Sequence, residues 1–196
     1  MLAADKQALE SVLKQSSLKI REKELDYFTS NFGAIATQSA LLAGFAFQGL
    51  NIEYPADHSQ FLRIMYFSST TLAMGCALLS VCNSCFCVMF GPGLALRGPE
   101  GSMPRAVDGM AVERGNVFLF FGMGLVAFHI SGIMLSWLKF NTIDALFTTG
   151  ILVAFLFAFF YYGRRIFLRF RIPARSLVTG QVSLGGYVPE TGTSYK

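Results

Sequence analysis

The sequence predicts an all-α, polytopic membrane protein with four transmembrane helices. Its 196 residues are 53% hydrophobic and 14% charged, with a mean hydropathy of +0.49. This composition is typical of membrane proteins with several spans. Four apolar stretches, at 31–52, 61–90, 117–138 and 145–162, are each long enough to cross a bilayer, for which a helix needs about 20 residues.

Residues 1–29 predict an amphipathic N-terminal helix. Its apolar residues follow one face at helical spacing: Leu9, Val12, Leu13, Ile20, Tyr27 and Phe28. Such a helix either lies on the membrane surface or continues the first span as a stalk. Because the segment holds no glycine before Phe32, the stalk is favoured.

The first span, 31–52, is the most polar of the four. Five of its residues lie at spacings of three and four and share one helix face: Thr37, Leu41, Gly44, Gln48 and Asn51. Polar amides are costly in hydrocarbon unless they face protein or water. We therefore expect this helix to be interior to an assembly, with other spans between it and lipid.

Helix-breaking residues and the residues that flank each apolar stretch predict the remaining elements. A polar loop, 53–60, leads to the second span, which is predicted to end at Gly-Pro-Gly, 91–93. Residues 94–113 predict a loop before the third span, which closes on an interfacial Trp137 and Lys139 pair. The four spans thus form a transmembrane domain, 30–163, and 164–196 predict a tail that is basic first and flexible afterwards.

The basic residues predict the orientation. The N-terminal segment holds five, the central loop three and the tail six, which leaves only Arg63 and Lys139 for the other side. The positive-inside rule then places both termini in the cytoplasm. Because the net charge of +4 is explained by topology, it does not indicate nucleic acid. Three arginines of the tail either bind anionic lipid headgroups or are only part of the charge pattern that sets the orientation: Arg164, Arg165 and Arg169.

Two further groups of residues suggest ligands but have simpler interpretations. Cys82, Cys85 and Cys87 have a spacing that suits a soft metal ion, yet no histidine or further cysteine completes the set, so packing is favoured. His129 lies within a span, where a metal or pigment ligand and a hydrogen-bonded interior residue are both consistent. No catalytic constellation is present in the sequence, and we predict neither an enzyme nor a resident cofactor.

Several short motifs resemble the Orai family of calcium channels. Residues 39–46, SALLAGFA, resemble the SALLSGFA core of the family's first helix, and residues 69–72, STTL, are similar to its CTTL. Residues 136–140, SWLKF, resemble CWVKF, and Pro92 closes the second span as in the family. The motifs occur in the family order across about residues 30–165.

The resemblance implies a plasma-membrane hexamer whose first helices ring a pore. That pore would be lined by residues of the first span and the loop after it: Thr37, Leu41, Gly44, Phe45, Gln48, Asn51 and Glu53. An ungapped match places Ile52 where the family has its selective glutamate. Glu53 is then the nearest carboxylate for a calcium ion in the pore, with Asp57 as an outer collecting site; alternatively both are solvated loop acids.

Two function hypotheses follow. The first is a pore-forming subunit of an Orai-like cation channel, which would be selective for calcium if Glu53 forms a ring. The second is a non-conducting structural subunit of a larger membrane complex, in which Gln48 and its neighbours form hydrogen bonds between helices. The partners are then the lipid bilayer and either further copies of the chain or other membrane subunits.

Overall fold

A computed structural model shows four long α-helices in antiparallel succession. It describes residues 2–53, 59–99 and 101–170. The helices are α1 (Leu2–Leu50), α2 (Gln60–Arg97), α3 (Ser102–Lys139) and α4 (Thr142–Phe170). Of these, α2, α3 and α4 are long and apolar enough to cross a membrane, which identifies a helical membrane protein. A fourth crossing and the cytoplasmic location of the termini stay predictions.

Helix α1 joins the predicted N-terminal helix and first span without a break. It runs for 49 residues, roughly 74 Å at helical rise, which favours the stalk over a separate surface helix. It is less apolar than the others because Gln38 and Gln48 interrupt its hydrophobic half. The predicted apolar face of the stalk is wrong for Leu9, Val12, Ile20 and Tyr27, which are exposed.

The buried face of the stalk instead continues the buried face of the first span. Residues at spacings of three and four along α1 are buried, in one row: Arg21, Leu25, Phe28, Phe32, Ile35, Ser39, Leu42 and Ala46. The lower part of this row packs with Ala106, Val107 and Met110 of α3. Packing against α3 thus determines which side of the stalk is buried.

Two predicted boundaries differ from the structure. Helix α2 continues through Pro92 to Arg97, because Gly91 lies directly against Met110 of α3 and this packing holds the extra turns in place. The predicted loop 94–113 is largely helical, since α3 begins at Ser102. Pro104 is compatible with this start because the first turn of a helix needs no N–H donor there.

The helices form a three-helix bundle with one outer helix. Helices α1, α2 and α3 pack against one another, whereas within the described residues α4 contacts only α3. Trp137 Nε1 donates a hydrogen bond of 3.0 Å to Thr149 Oγ1 between these two. Only Ala145 is buried along α4, and most of its large apolar side chains are exposed, as suits a helix surrounded by lipid.

Tyr66 fixes the end of α1 to α2. Its side chain is 2% exposed, and its hydroxyl donates a 2.6 Å hydrogen bond to the carbonyl oxygen of Gly49. A Cβ atom at position 49 would lie 3.1 Å from Tyr66 Oη and 3.3 Å from Thr70 Cγ2, so any larger residue would require these side chains to shift. The carbonyl lies in the last turn of α1, where no intrahelical donor is available.

Replacing Tyr66 with phenylalanine should therefore destabilise the protein. We expect a loss of about 1 kcal/mol in the free energy of unfolding, the usual net value of one buried hydrogen bond. Thermal unfolding in mild detergent measures it. Tyr161→Phe is the matched control, because Tyr161 is exposed. Equal losses in the two variants would contradict the assigned role of Tyr66.

Candidate functional site

The predicted pore residues lie together on one uncovered face of α1. Thr37, Leu41, Gly44, Phe45, Gln48 and Asn51 are all exposed, and Leu41 and Phe45 are 59% and 58% exposed. The opposite face packs on α2 and α3 through Leu42, Ala43 and Ala46. Within the described residues, α2, α3 and α4 do not cover this polar face.

The structure describes one of the two acidic residues of the predicted pore mouth. Glu53 follows the end of α1 and is exposed, whereas Asp57 lies outside the described residues. Within the described part of the chain, no three histidine, cysteine, aspartate or glutamate side chains are grouped to hold a metal ion. One chain supplies a single Glu53 carboxylate, so a cation site at this residue requires several copies.

Gln48 does not connect the helices of one chain. Its side chain is exposed and forms no hydrogen bond with another described residue. Short hydroxyl side chains connect the helices instead. Ser39 of α1 donates to Ser80 of α2 at 3.1 Å, and Ser80 donates to the Val117 carbonyl of α3 at 3.3 Å.

A second hydroxyl pair joins α2 and α3. Thr70 is hydrogen-bonded to Ser131 and donates to the Tyr66 carbonyl at 2.7 Å. We call Ser39, Ser80, Thr70 and Ser131 the hydroxyl seam. Its members are at most 5% exposed, and each hydroxyl that donates to a carbonyl leaves a lone pair for the next hydroxyl. The sequence signal for the seam is weak, because serine and threonine among apolar residues are common in spans.

The stalk carries a buried arginine that the sequence did not single out. Arg21 is 4% exposed, and its Nη1 atom lies 3.0 Å from Glu24 Oε2 and 3.4 Å from Asp108 Oδ1 of α3. Its Nη2 atom is buried without a partner among the described residues. Arg114 of α3 lies 5.7 Å from the centre of the Phe28 ring. Charge and packing together fix the stalk to α3.

The other candidate ligands have ordinary surroundings. Cys82 and Cys85 are exposed and Cys87 is half-buried, so the packing interpretation does not hold for the first two within one chain. His129 Nδ1 lies 2.9 Å from the Leu125 carbonyl oxygen, which can only accept, so this nitrogen donates. The His129 side chain is half-buried, and it is hydrogen-bonded to its own helix.

The basic end of α4 is exposed. Arg164, Arg165 and Arg169 project from the last turns of the helix, whereas the tail from residue 171 lies outside the described residues. Arg165 and Arg169 line a shallow cleft on one side of α4 with Tyr162, Ile166 and Phe170. Arg164 does not line it.

The chain matches no family model, no curated protein sequence and no solved structure. The resemblance to the Orai family therefore rests on the short motifs alone. Two of these motifs contribute to the hydroxyl seam, since Ser39 opens the first and Thr70 lies in the second. The geometry of α1 and the seam is the basis for a functional proposal.

Proposed function

We propose that the chain is a pore-forming subunit of an Orai-like cation channel, with copies of α1 surrounding the pore. The observation that carries the proposal is the uncovered polar face of α1. A face with two amides and a threonine is costly against lipid, and none of the other described helices covers it. A symmetric ring of first helices would turn these faces towards water.

The packing of α1 supports a fourth crossing. Its upper half runs antiparallel to α2, since Gly49 meets Tyr66 at one end and Ser39 meets Ser80 further along. If α2 crosses the bilayer, this half of α1 lies at the same depth. Four spans then place both ends of the chain on one side, which the basic residues favour as the cytoplasmic one.

In this arrangement Gln48 and Asn51 line the pore. Leu41 and Phe45 would form its apolar constriction, where narrowing excludes water. Glu53 would place one carboxylate per subunit at the mouth, and oxygen ligands of this kind suit calcium. The hexamer and the plasma membrane belong to the family resemblance and are proposed on that ground.

Cation flux into liposomes tests conduction. We expect purified full-length protein to pass calcium, sodium or potassium down a gradient. Glu53→Gln should lower the calcium-to-sodium permeability ratio about fivefold, the effect of about 1 kcal/mol for one charge contact in a watery mouth. Asp144→Asn is the control, because it removes an exposed acid at the start of α4, away from α1. A monomer in mild detergent with liposomes tight to all three ions would refute the channel.

Disulfide trapping tests the ring itself. With the four native cysteines replaced by alanine, Gln48→Cys should form disulfide-linked dimers upon oxidation, because the α1 faces meet in the ring. Phe147→Cys provides the control, since this side chain is 70% exposed on the outer helix α4. Equal cross-linking at both positions would indicate random collision and contradict the ring.

The same exposed face also fits the second hypothesis, a structural subunit whose α1 docks on a different membrane protein. That hypothesis predicts copurification with unrelated subunits at fixed stoichiometry. It also predicts that Gln48→Cys cross-links to such a subunit and not to another copy of the chain. The trapping experiment therefore separates the two functions.

A further inference from the structure

The end of α4 carries positive charge that no acidic side chain among the described residues neutralises. Between Asp144 and Glu190 the sequence contains five arginines and no acidic residue. Among the described residues, neither Arg165 nor Arg169 forms an ion pair or a hydrogen bond. Both guanidinium groups are exposed and are available to an anionic ligand.

The two arginines line a shallow, open cleft on one side of α4. Tyr162, Arg165, Ile166, Arg169 and Phe170 recur at spacings of three and four, so they occupy one side of α4. They line a cleft of about 470 Å³ that is open to the surroundings. Its lining combines two guanidinium groups and a phenol hydroxyl with the apolar surfaces of an isoleucine and a phenylalanine.

The cleft lies at the level of the membrane boundary. The helix carries four consecutive aromatic residues, Phe159 to Tyr162, all exposed, and aromatic side chains of this kind concentrate where the hydrocarbon meets the headgroups. The arginines begin two residues later, at Arg164. A ligand in the cleft would thus have its charged part among the headgroups and its apolar part towards the acyl chains.

We propose that this cleft binds the phosphate of an anionic phospholipid headgroup. Arg165 and Arg169 would each present a planar fork of N–H donors to the phosphate oxygens, a geometry that lysine does not offer. The Tyr162 hydroxyl would donate a further hydrogen bond, and Ile166, between the two arginines, would contact the lipid's glycerol. The proposal does not depend on whether the protein conducts ions.

Arg164 supplies a matched control within the same turn. It lies one residue from Arg165, about 100° around the helix, and does not line the cleft. Arg164→Gln removes the same charge from the same height in the membrane as Arg165→Gln. If the lipid binds in the cleft, Arg165→Gln should weaken lipid binding more than Arg164→Gln. A diffuse attraction between positive charge and lipid would make the two variants weaken binding equally.

Native mass spectrometry of the full-length protein in mild detergent tests the site. The probes are phosphatidic acid, zwitterionic phosphatidylcholine and inorganic phosphate. We expect phosphatidic acid to bind in preference to phosphatidylcholine, and Arg165→Gln or Arg169→Gln to weaken it about fivefold each, from about 1 kcal/mol per basic residue at a membrane surface. Arg165→Lys, which keeps the charge, should lose part of this affinity. Thermal unfolding confirms that each variant is folded.

Three results would overturn the proposal. Equal weakening by Arg164→Gln and Arg165→Gln would show that only net charge matters. Inorganic phosphate that binds as tightly as phosphatidic acid, or displaces it at equal concentration, would indicate a site for free anions. Equal binding of phosphatidylcholine would show that the negative charge of the headgroup is not recognised.

Discussion

Replacing Gly124 with leucine should separate α2 from α3 and abolish the folded bundle. Gly124 is buried, and a Cβ atom there would lie 3.3 Å from the Ala73 carbonyl oxygen and 3.4 Å from the Ala77 nitrogen. Both are backbone atoms of α2, which cannot move aside as a side chain can. Overpacking in a close-packed interior costs about 1–3 kcal/mol and occasionally more, and we expect the upper end here because four heavy atoms must be accommodated.

Gly122 provides the control for this substitution. It lies on the same helix two residues earlier, and a Cβ atom at that position meets nothing within 4 Å. Gly122→Leu should therefore change the unfolding temperature little, while Gly124→Leu gives no monodisperse protein or a strongly lowered unfolding temperature. Similar behaviour of the two variants would mean that α2 and α3 are not in close contact at Gly124.

Removing both acidic partners of Arg21 should be strongly destabilising. In the Glu24→Gln and Asp108→Asn double variant, a buried guanidinium would lack any counter-charge. Losing the partner of a fully buried charge costs about 3–5 kcal/mol. Because the Glu24 and Asp108 side chains are 34% and 62% exposed, solvent already screens part of the attraction. We expect a loss of about 2 kcal/mol in the free energy of unfolding.

Arg21→Met separates this charge effect from packing. Methionine keeps much of the volume and needs no counter-charge, and exchanging a buried ion pair for apolar groups is often neutral. Combining Arg21→Met with the two acid substitutions should therefore restore most of the lost stability. A triple variant as unstable as the double variant would show that Glu24 and Asp108 stabilise the fold without Arg21.

The sequence predicted the helical elements better than their ends. Hydropathy located α2, α3 and α4 because each contains a long uninterrupted apolar stretch. Hydropathy did not predict that α2 continues past Pro92 or that residues 102–113 are helical. Both segments are polar or contain helix-breaking residues, but both pack against a neighbouring helix. Gly91 against Met110 is a tertiary contact, and tertiary contacts override local propensity.

The candidate site was predictable only as a helix face. Spacing alone grouped Thr37, Gln48 and Asn51, and the structure leaves that face uncovered within one chain. Spacing could not show that Ser39 faces Ser80, since that pairing depends on the relative rotation of two helices. Arg21 was missed for a similar reason: a charged residue among charged neighbours predicts a solvated position, and only the approach of α3 buries it.

Helix α1 passes from the stalk to the polar face without a joint. Arg21 and Gln48 therefore belong to one continuous helix, 27 residues apart, which is about 40 Å along the axis. Because the stalk is packed on α3 and paired with Asp108, a rotation of α1 would have to break these contacts. In the proposed channel, such a rotation would change which side chains face a neighbouring subunit.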